Sequence, residues 1–179
     1  MIVSLEQFNT YTGNYEDTAE VISMKENMLR SAQEVVENHL GYKVESETRT
    51  DYVQGIGNNH LYLFAQPITE VDSVSYNGVT LLSTAYDICG KYLRLKEGVW
   101  PNGTEIQVTY TAGWTTENVP DTVILTILNI ASLMLQESDG NIGITGKSMA
   151  EDSRTYINYT NYNKWLEKLN PLCIVRLYG

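Results

Sequence analysis

Cysteine and histidine are scarce in this 179-residue chain, which contains two of each. Cys89 and Cys173 are far apart and belong to no spaced motif, so we predict two reduced thiols rather than a disulfide. Neither His39 nor His60 lies beside a cysteine or in a nucleophile-elbow sequence, and the residue spacings of metal sites are missing. These absences argue against an enzyme, and against a bound metal or other cofactor.

Basic residues are also few. Twelve lysines and arginines stand against 22 acidic residues, which gives a net charge of −10 and a pI of about 4.6. A protein that grips nucleic acid needs cations to neutralise phosphates, so this balance argues against that class. The exception is the segment 147–179, which has five basic and three acidic residues. This C-terminal segment could therefore face a more acidic partner.

Long apolar runs are missing as well. The longest, Val123–Leu135, is interrupted by polar residues and is shorter than the ~20 residues needed to span a bilayer. The N-terminus lacks the basic start and long apolar stretch of a signal peptide. We therefore expect a soluble intracellular protein that has no membrane partner.

The most apolar segment of the chain follows a predicted strand and a glycine–tryptophan corner. Ile106–Thr111 alternates apolar and polar residues, which is typical of a half-buried strand, and Gly113 ends it. Pro120 is typical of a helix start, and we predict a central buried helix at about 120–137. The polar residues of this helix recur at spacings of three and four, which predicts one narrow polar stripe: Thr126, Asn129, Ser132 and Gln136.

Two helices are predicted earlier in the chain, within residues 4–41. Ser4–Gln7 has the form of a capping box, and Asp17–Glu20 repeats it at the start of a longer amphipathic helix. Gly13 and Gly41 are expected to end the two helices. The charged residues of the longer helix are predicted on the side opposite its apolar residues: Lys25, Glu26, Arg30, Glu34 and Glu37.

Residues 43–111 have the pattern of short strands separated by turns, which indicates antiparallel hairpins rather than βαβ units. Asn77-Gly78 is the strongest hairpin signal, because both central positions of such a turn need positive φ. The segment 138–153 is rich in Gly, Ser, Asn and Asp and predicts a flexible loop. The predicted strands are 44–54, 61–65, 71–76, 79–82, 92–95, 106–111 and 155–159.

These elements predict an α+β fold in one domain, 1–179.

Two glycine-rich stretches match nucleotide-binding motifs only in part. Gly143–Ser148 ends like a phosphate-binding loop, but Asn141 stands where the motif needs its first glycine. A helix is also predicted before this stretch, where the motif needs a strand. Gly55–His60 lacks a third glycine and opens no helix, so a hairpin loop explains it better. We predict no nucleotide site at either stretch.

Several stretches carry a resemblance to a known family. They are Ala32–Tyr42, the L-x-L-x-x-x-P-I-x-x-V-x-S-V pattern of Leu61–Val74, and the V-T-Y-T-A-G-W stretch of Val108–Trp114 followed by Val119-Pro120. In sequence and order they resemble the head–tail connector (head-completion adaptor) proteins of long-tailed double-stranded DNA phages and prophages. The resemblance covers roughly residues 2–138, and none of these stretches is a catalytic signature.

The resemblance implies a mainly α-helical bundle, formed by the helices within 4–41, 120–137 and 161–170, with the β-rich region 43–111 as an inserted antiparallel β-hairpin region. It also implies a structural virion protein at the head–tail junction, present in the host cytoplasm during assembly. Such adaptors form a ring, usually twelvefold, beneath the portal and extend the channel that DNA crosses. The partners implied are further copies of the chain, the portal protein, and a further head-completion or tail protein. DNA is implied only as passing cargo, and an acidic ring would repel its phosphates.

Two sets of residues are assigned to assembly as hypotheses. The basic C-terminal segment is predicted to dock on the portal, and the glycine-rich loop is predicted to become ordered on assembly. The long helix and the β hairpins are predicted to contact neighbouring subunits. The docking residues are Lys164, Lys168, Arg176, Leu177 and Tyr178, and the loop residues are Gly140, Gly143, Gly146 and Lys147.

Two other functions stay open at this point. One is a tail-completion or tail-terminator ring protein, for which we would expect a more continuously β chain with less helix at the start. The other is a small nucleotide-binding enzyme that uses Gly146, Lys147 and Ser148.

Overall fold

A computed structural model describes residues 1–138, 147–149, 152–154 and 160–174. The chain divides into two compact units. The first contains Met1–Leu40 and the described residues of Asn118–Cys173, and the second contains Gly41–Glu117 and the described residue of Ile174–Gly179. The helices are α1 (Leu5–Thr12), α2 (Ala19–Leu40), α3 (Asp121–Ser138) and α4 (Thr160–Leu166). The strands are β1 (Glu47–Gln54), β2 (His60–Tyr62), β3 (Ile68–Tyr76), β4 (Val79–Thr80), β5 (Tyr86–Ile88), β6 (Tyr92–Leu95), β7 (Glu105–Ala112), β8 (Lys147–Met149) and β9 (Asp152–Arg154).

The first helix begins and ends where the sequence predicts. The Ser4 hydroxyl accepts a hydrogen bond from the Gln7 backbone N–H at 3.1 Å, and the Gln7 side chain accepts one from the Ser4 backbone N–H at 2.8 Å. This reciprocal pair confirms the predicted capping box. Gly13 ends α1 at φ 68°, a conformation that glycine adopts without steric cost.

The start of α2 differs by one residue from the prediction. Thr18, rather than Asp17, precedes the first helical residue, and its hydroxyl accepts a hydrogen bond from the Val21 backbone N–H at 3.4 Å. Two charged residues expected on the solvent side are also buried: Lys25 is fully buried and Glu37 is 7% exposed. Each has polar partners within the unit, which compensate the loss of water. The prediction of a fully solvated charged face was therefore wrong at these two positions.

The apolar helix α3 begins at Asp121, as predicted, and packs against α2. The predicted polar stripe holds at Asn129, Ser132 and Gln136, which are half-buried or exposed, but not at Thr126. Thr126 is 1% exposed, and its hydroxyl donates to the Thr122 carbonyl at 2.7 Å, so the helix backbone satisfies the buried hydroxyl. Leu125 is 47% exposed instead. A polar residue does not need to face water when a carbonyl four residues earlier accepts its hydrogen bond.

After α4, a 3₁₀ segment Glu167–Leu172 continues the predicted C-terminal helix. The buried Leu169 anchors it. None of the helices in the described part of the chain is long and apolar enough to span a bilayer.

The second unit contains two antiparallel sheets. One has the strand order β1-β7-β3-β4, and the other has the order β2-β6-β5. All pairings between these strands are antiparallel, as predicted, but only β3–β4 and β5–β6 are hairpins of consecutive strands. The pairs β1–β7, β3–β7 and β2–β6 join strands that are far apart in the chain. The sequence pattern does not predict β5, a strand of only three residues. The short pair β8–β9 is also antiparallel.

Two predicted backbone features of this unit are confirmed. Asn77 and Gly78 both have positive φ, 51° and 75°, and they join β3 to β4. Gly113 has φ 109°, and a Cβ atom there would lie 2.6 Å from the Glu45 carbonyl oxygen. Trp114 then packs on Tyr42, with 5.9 Å between their ring centroids.

The expectation of a mainly helical bundle was wrong. In the part of the chain that the structure describes, helices account for about 40% and strands for about 26%, and the β region forms a compact unit of its own. The physical reason is that residues 43–111 bury a core of their own. That core includes Val44, Leu61, Leu63, Val74, Leu93, Trp100, Ile106, Val108 and Tyr110.

Three sequence-based expectations stay predictions. The flexible loop at 138–153 and the strand at 155–159 lie largely or wholly outside the described residues. The grouping of the whole chain, 1–179, into a single domain also stays a prediction.

Candidate assembly surfaces

The two predicted docking residues that the structure describes are exposed lysines. Lys164 lies in α4 and Lys168 in the 3₁₀ segment that follows. The Lys168 Nζ atom lies 3.9 Å from the centroid of the Trp165 ring, a cation–π contact that fixes the ammonium group at the surface. The structure thus offers two cations near each other in sequence. Arg176, Leu177 and Tyr178, the other predicted docking residues, lie outside the described residues.

Of the predicted loop residues, only Lys147 is described. It begins β8 and pairs with Arg154 of β9. Gly140, Gly143 and Gly146 lie outside the described residues. In a phosphate-binding loop the lysine and the following serine begin a helix, whereas Lys147 and Ser148 lie in a strand.

A shallow groove lies between α1 and α3, with a volume of about 340 Å³. The Tyr11 hydroxyl donates to the Asn129 side-chain oxygen at 2.9 Å, and the Asn129 amide donates to the Leu125 carbonyl at 2.6 Å. These bonds hold the Tyr11 ring at the groove, although 43% of the residue remains exposed. We call this feature the α1–α3 groove; its lining residues are Glu6, Gln7, Thr10, Tyr11 and Leu128.

A second surface lies at one end of the four-stranded sheet. Gln54, the last residue of β1, pairs with Glu105, the first residue of β7. Tyr76, the last residue of β3, pairs with Ile106. The connections that follow β1 and β3 and precede β7 therefore share this end. We call it the loop tip and define it as the segments 55–59, 76–82 and 98–104.

Backbone hydrogen bonds hold two segments of the loop tip, 55–59 and 98–104, against each other. The Gly57 N–H donates to the Trp100 carbonyl at 3.1 Å, and the Trp100 N–H donates to the Asn58 carbonyl at 2.7 Å. The Gly103 N–H donates to the Gly55 carbonyl at 2.9 Å, which ties the two loops together. The Trp100 ring is fully buried beneath them, and its N–H donates to the Asn59 carbonyl at 3.2 Å. The two loops are thus held in place both by their backbone hydrogen bonds and by the buried Trp100 ring.

The loop tip carries no charged side chain. None of its three segments contains Asp, Glu, Lys or Arg, although such residues make up 19% of the chain. Sequence reasoning did not identify this surface. Its signal was an absence of charge in three separate stretches, which only the sheet brings together. Four of its side chains are more than half exposed: Ile56 (54%), Val79 (59%), Leu82 (75%) and Val99 (55%).

A buried polar network supports the sheet below the loop tip. One Asp51 carboxylate oxygen accepts hydrogen bonds from the Phe64 backbone N–H at 2.9 Å and from the Tyr110 hydroxyl, and the other accepts from the Arg49 guanidinium at 2.9 Å. Burial, and then the hydrogen bond to Asp51, raise the pKa of the Tyr110 phenol far above its usual value. The tyrosine therefore stays protonated and donates.

Other candidate chemical groups do not cluster. No group of three or more His, Cys, Asp or Glu side chains that could hold a metal ion occurs among the residues that the structure describes. No disulfide joins Cys89 and Cys173, and the Cys173 thiol donates to the His39 carbonyl at 3.5 Å. The Asp87 carboxylate pairs with Arg94 at the surface, and the hydrogen bond from Arg94 lowers the Asp87 pKa.

Comparison with known proteins shows the family of this chain. Residues 1–137 match the head completion protein family. The chain belongs to the head completion protein family. The predicted family and the predicted structural role as a head–tail adaptor are therefore confirmed. No curated protein matches the sequence.

Solved structures of gene transfer agent particles contain chains whose fold is similar to that of this head completion protein. One similar chain comes from the neck of an empty gene transfer agent particle computed with C6 symmetry: 13% identity, a TM-score of 0.61, and coverage of 99% of this chain and 92% of that chain. Another comes from the virion of a native gene transfer agent particle, with 12% identity, a TM-score of 0.62 and the same coverage. A third, from the neck of a native particle computed with C12 symmetry, has 14% identity, a TM-score of 0.56 and coverage of 96% and 90%.

Proposed function

We propose that this head completion protein assembles into a ring of about twelve subunits beneath the portal, extends the channel that DNA crosses, and provides the surface to which a further head-completion or tail protein attaches. The family match over residues 1–137 carries this proposal. A chain of similar fold in a neck computed with C12 symmetry supports the subunit number.

The role proposed for DNA is that of passing cargo, and no catalytic step is assigned to the protein. A ring of subunits that each carry a net charge of −10 would repel the phosphates of DNA in its lumen. Repulsion would keep the DNA from adhering to the channel wall while it moves. A structural family supports the absence of a catalytic role.

We assign portal docking to the C-terminal segment, through Lys164, Lys168, Arg176, Leu177 and Tyr178. The exposure of the first two lysines supports this assignment. An Nζ atom held over an aromatic ring, as in Lys168, loses less conformational freedom on binding than a free lysine does. Gly140, Gly143, Gly146 and Lys147, within the predicted loop 138–153, are assigned to a segment that becomes ordered on assembly.

The native mass of the protein, measured over a concentration series with and without the matching portal protein, tests the ring. We expect a monomer at low concentration that becomes a large ring at high concentration or on the portal. A protein that stays monomeric under all of these conditions would contradict the proposal. A ring that forms but binds only a tail protein would place it on the tail side of the junction.

Truncation of residues 171–179 tests the docking segment. We expect the truncated protein to keep the far-ultraviolet circular dichroism of the parent and to lose portal binding. The double variant Lys164→Glu/Lys168→Glu should weaken binding in the same direction, whereas Arg30→Glu, an exposed charge reversal on α2, should not. Unchanged portal binding by both the truncated protein and the double variant would refute the docking assignment.

A further inference from the structure

The chain contains two Asn-Gly pairs, Asn77-Gly78 and Asn102-Gly103, and both lie in the loop tip. In such a pair the backbone nitrogen of the glycine can attack the side-chain carbonyl of the asparagine, because a small unstrained ring results and glycine has no Cβ atom to hinder the approach. Two conditions decide whether a folded protein permits this attack. The glycine nitrogen must be free of a hydrogen bond, and the backbone of the asparagine must be able to rotate.

The structure closes the second pair to this reaction. The Gly103 N–H donates to the Gly55 carbonyl at 2.9 Å, and the Gly55 N–H donates to the Thr104 carbonyl at 2.9 Å, so the nitrogen that would attack is bound to the facing loop. The Asn102 side chain also lies against that loop, since a Cβ atom added at Gly57 would be 3.7 Å from the Asn102 Cβ atom. Rotation of Asn102 would therefore break the contacts that hold the two loops together.

The first pair is open to the same reaction. Asn77 and Gly78 are exposed, and the Gly78 N–H has no acceptor in the part of the chain that the structure describes. The turn leads into β4, an edge strand of two residues that is followed by one more backbone bond, from the Leu81 N–H to the Val74 carbonyl at 2.8 Å. A short strand at a sheet edge opens at low cost in free energy. The Asn77 backbone can therefore leave its turn conformation at φ 51° and reach the attacking geometry.

We propose that Asn77 is a site of spontaneous deamidation and that Asn102, in the same dipeptide of the same loop tip, is protected from it. The Gly78 nitrogen loses its proton to solvent base and forms a bond to the side-chain carbonyl carbon of Asn77, and the bond from that carbon to the amide nitrogen breaks to release ammonia. Water then opens the cyclic imide at one of its two carbonyls. The product is aspartate or isoaspartate at position 77, and the reaction consumes no oxidant or reductant.

The two products differ in their effect on the turn. Aspartate keeps the normal backbone, and Asp-Gly is as well suited as Asn-Gly to a two-residue hairpin turn. Isoaspartate routes the chain through its side-chain carbon and so lengthens the backbone of a turn that pairs Tyr76 directly with Val79. Either product gives the loop tip its first negative charge. The inference does not depend on the proposed ring, because every group in it belongs to one chain.

The test is an incubation of the purified folded protein at mildly alkaline pH and physiological temperature, with samples taken over time. Each sample is digested at acidic pH, which stops further reaction, and the peptides that contain Asn77 and Asn102 are quantified by mass spectrometry. Labelling with an isoaspartyl methyltransferase measures the isoaspartate product. We expect conversion at Asn77 to be at least about tenfold faster than at Asn102, because the latter requires the opening of hydrogen-bonded loops. The rate at Asn77 should rise with pH, since the attacking group is the deprotonated nitrogen.

The same protein unfolded in guanidinium chloride is the matched control. Both Asn-Gly pairs are then free to rotate, and we expect Asn77 and Asn102 to react at similar rates. A difference that exists only in the folded protein therefore arises from the structure. Equal rates at the two sites in the folded protein, or a faster rate at Asn102, would overturn the proposal. So would an unreactive Asn77 in the folded protein under conditions in which the unfolded chain reacts.

The substitution Gly55→Ala tests the cause of the protection. The added Cβ atom would collide with the Pro101 carbonyl oxygen, so the two loops must separate and Gly103 loses its acceptor. We expect conversion at Asn102 to approach the rate of the unfolded chain while the rate at Asn77 stays unchanged. A folded variant in which Asn102 remains as slow as in the parent would overturn the assigned cause. If circular dichroism shows that the variant is unfolded, the comparison of the two sites in the parent decides alone.

Discussion

Tyr110 of β7 donates its hydroxyl hydrogen to the Asp51 carboxylate of β1, although the backbone pairs Tyr110 with Arg49 and Asp51 with Val108. The contact is thus diagonal across the two strands. Both side chains are almost completely buried. The same carboxylate accepts from the Phe64 backbone, so one buried charge links β1, β7 and the segment after β2.

Replacement of Asp51 by asparagine should destabilise the protein. Both carboxylate oxygens of Asp51 accept hydrogen bonds from donor groups. The side-chain amide of asparagine would instead point an NH₂ group at the donors on one side. We expect the free energy of unfolding to fall by about 2–4 kcal/mol, measured by urea titration. The control is Asp87→Asn, which weakens only the surface pairs with Arg94 and Lys96 and should change little. Equal losses in the two variants would contradict a special role for the Asp51 network.

Tyr110 should make the stability fall at alkaline pH. Its pKa in the folded protein is raised, so below the pKa of the unfolded chain, about 10, the phenol is protonated in both states. Above that pH the unfolded chain loses the proton first, and the free energy of unfolding falls by at most about 1.4 kcal/mol per pH unit. The stability difference between the parent and Tyr110→Phe should therefore shrink between about pH 9 and pH 11. The pKa of Tyr86 is also raised, but Tyr86 is present in both proteins and cancels.

The replacement of Lys25 by methionine should loosen the connection between α1 and α2. The Lys25 Nζ atom donates to the Asn9 side chain at 2.8 Å and to the Asn14 and Glu16 carbonyls at 2.8 and 2.9 Å. Methionine fills similar space but leaves these oxygens without their donor, at an expected cost of about 2–4 kcal/mol. Hydrogen exchange should speed up most at residues 13–18. Arg30→Met, a change at an exposed residue of the same helix, should leave the free energy of unfolding and the hydrogen-exchange rates nearly unchanged. Equal effects of Arg30→Met and Lys25→Met would refute the prediction.

An alanine at Gly55 should disrupt the loop tip. A Cβ atom there would lie 2.2 Å from the Pro101 carbonyl oxygen, so the two loops must move apart. We expect a loss of stability of about 2 kcal/mol or more and faster hydrogen exchange at Gly57 and Gly103. In the comparison variant Gly98→Ala nothing lies within 4 Å of the added Cβ, and only the positive φ of 80° opposes the change. A larger loss for Gly98→Ala would contradict the steric explanation.

Local sequence chemistry predicted the features that depend on neighbours along the chain. The hydroxyl of Ser4 and the amide of Gln7 are three residues apart, so a capping box forms whatever lies around it. Asn77-Gly78 fixes its own turn through positive φ at both residues. Both were predicted and both are confirmed. The family was also recognisable from the order of short motifs.

Side chains whose environment comes from distant residues could not be placed in this way. Lys25 was expected in solvent because it is charged, yet Asn9, Asn14 and Glu16 surround it. Thr126 was expected in a polar stripe, yet it is satisfied by its own helix and buried. In both cases hydrogen-bond partners, rather than the polarity of the side chain, decided burial.

The sequence by itself determined the helix ends, the hairpin turn, the acidic charge and the membership of a structural family, because each depends on residues close together or on composition. Only the tertiary structure decided that the strands bury a core of their own, so that the fold is not mainly a helical bundle. It also gathered three uncharged segments at one end of a sheet. Strand pairing joins residues that are distant in sequence, such as Gln54 and Glu105. A pattern confined to neighbouring residues cannot predict such a pairing.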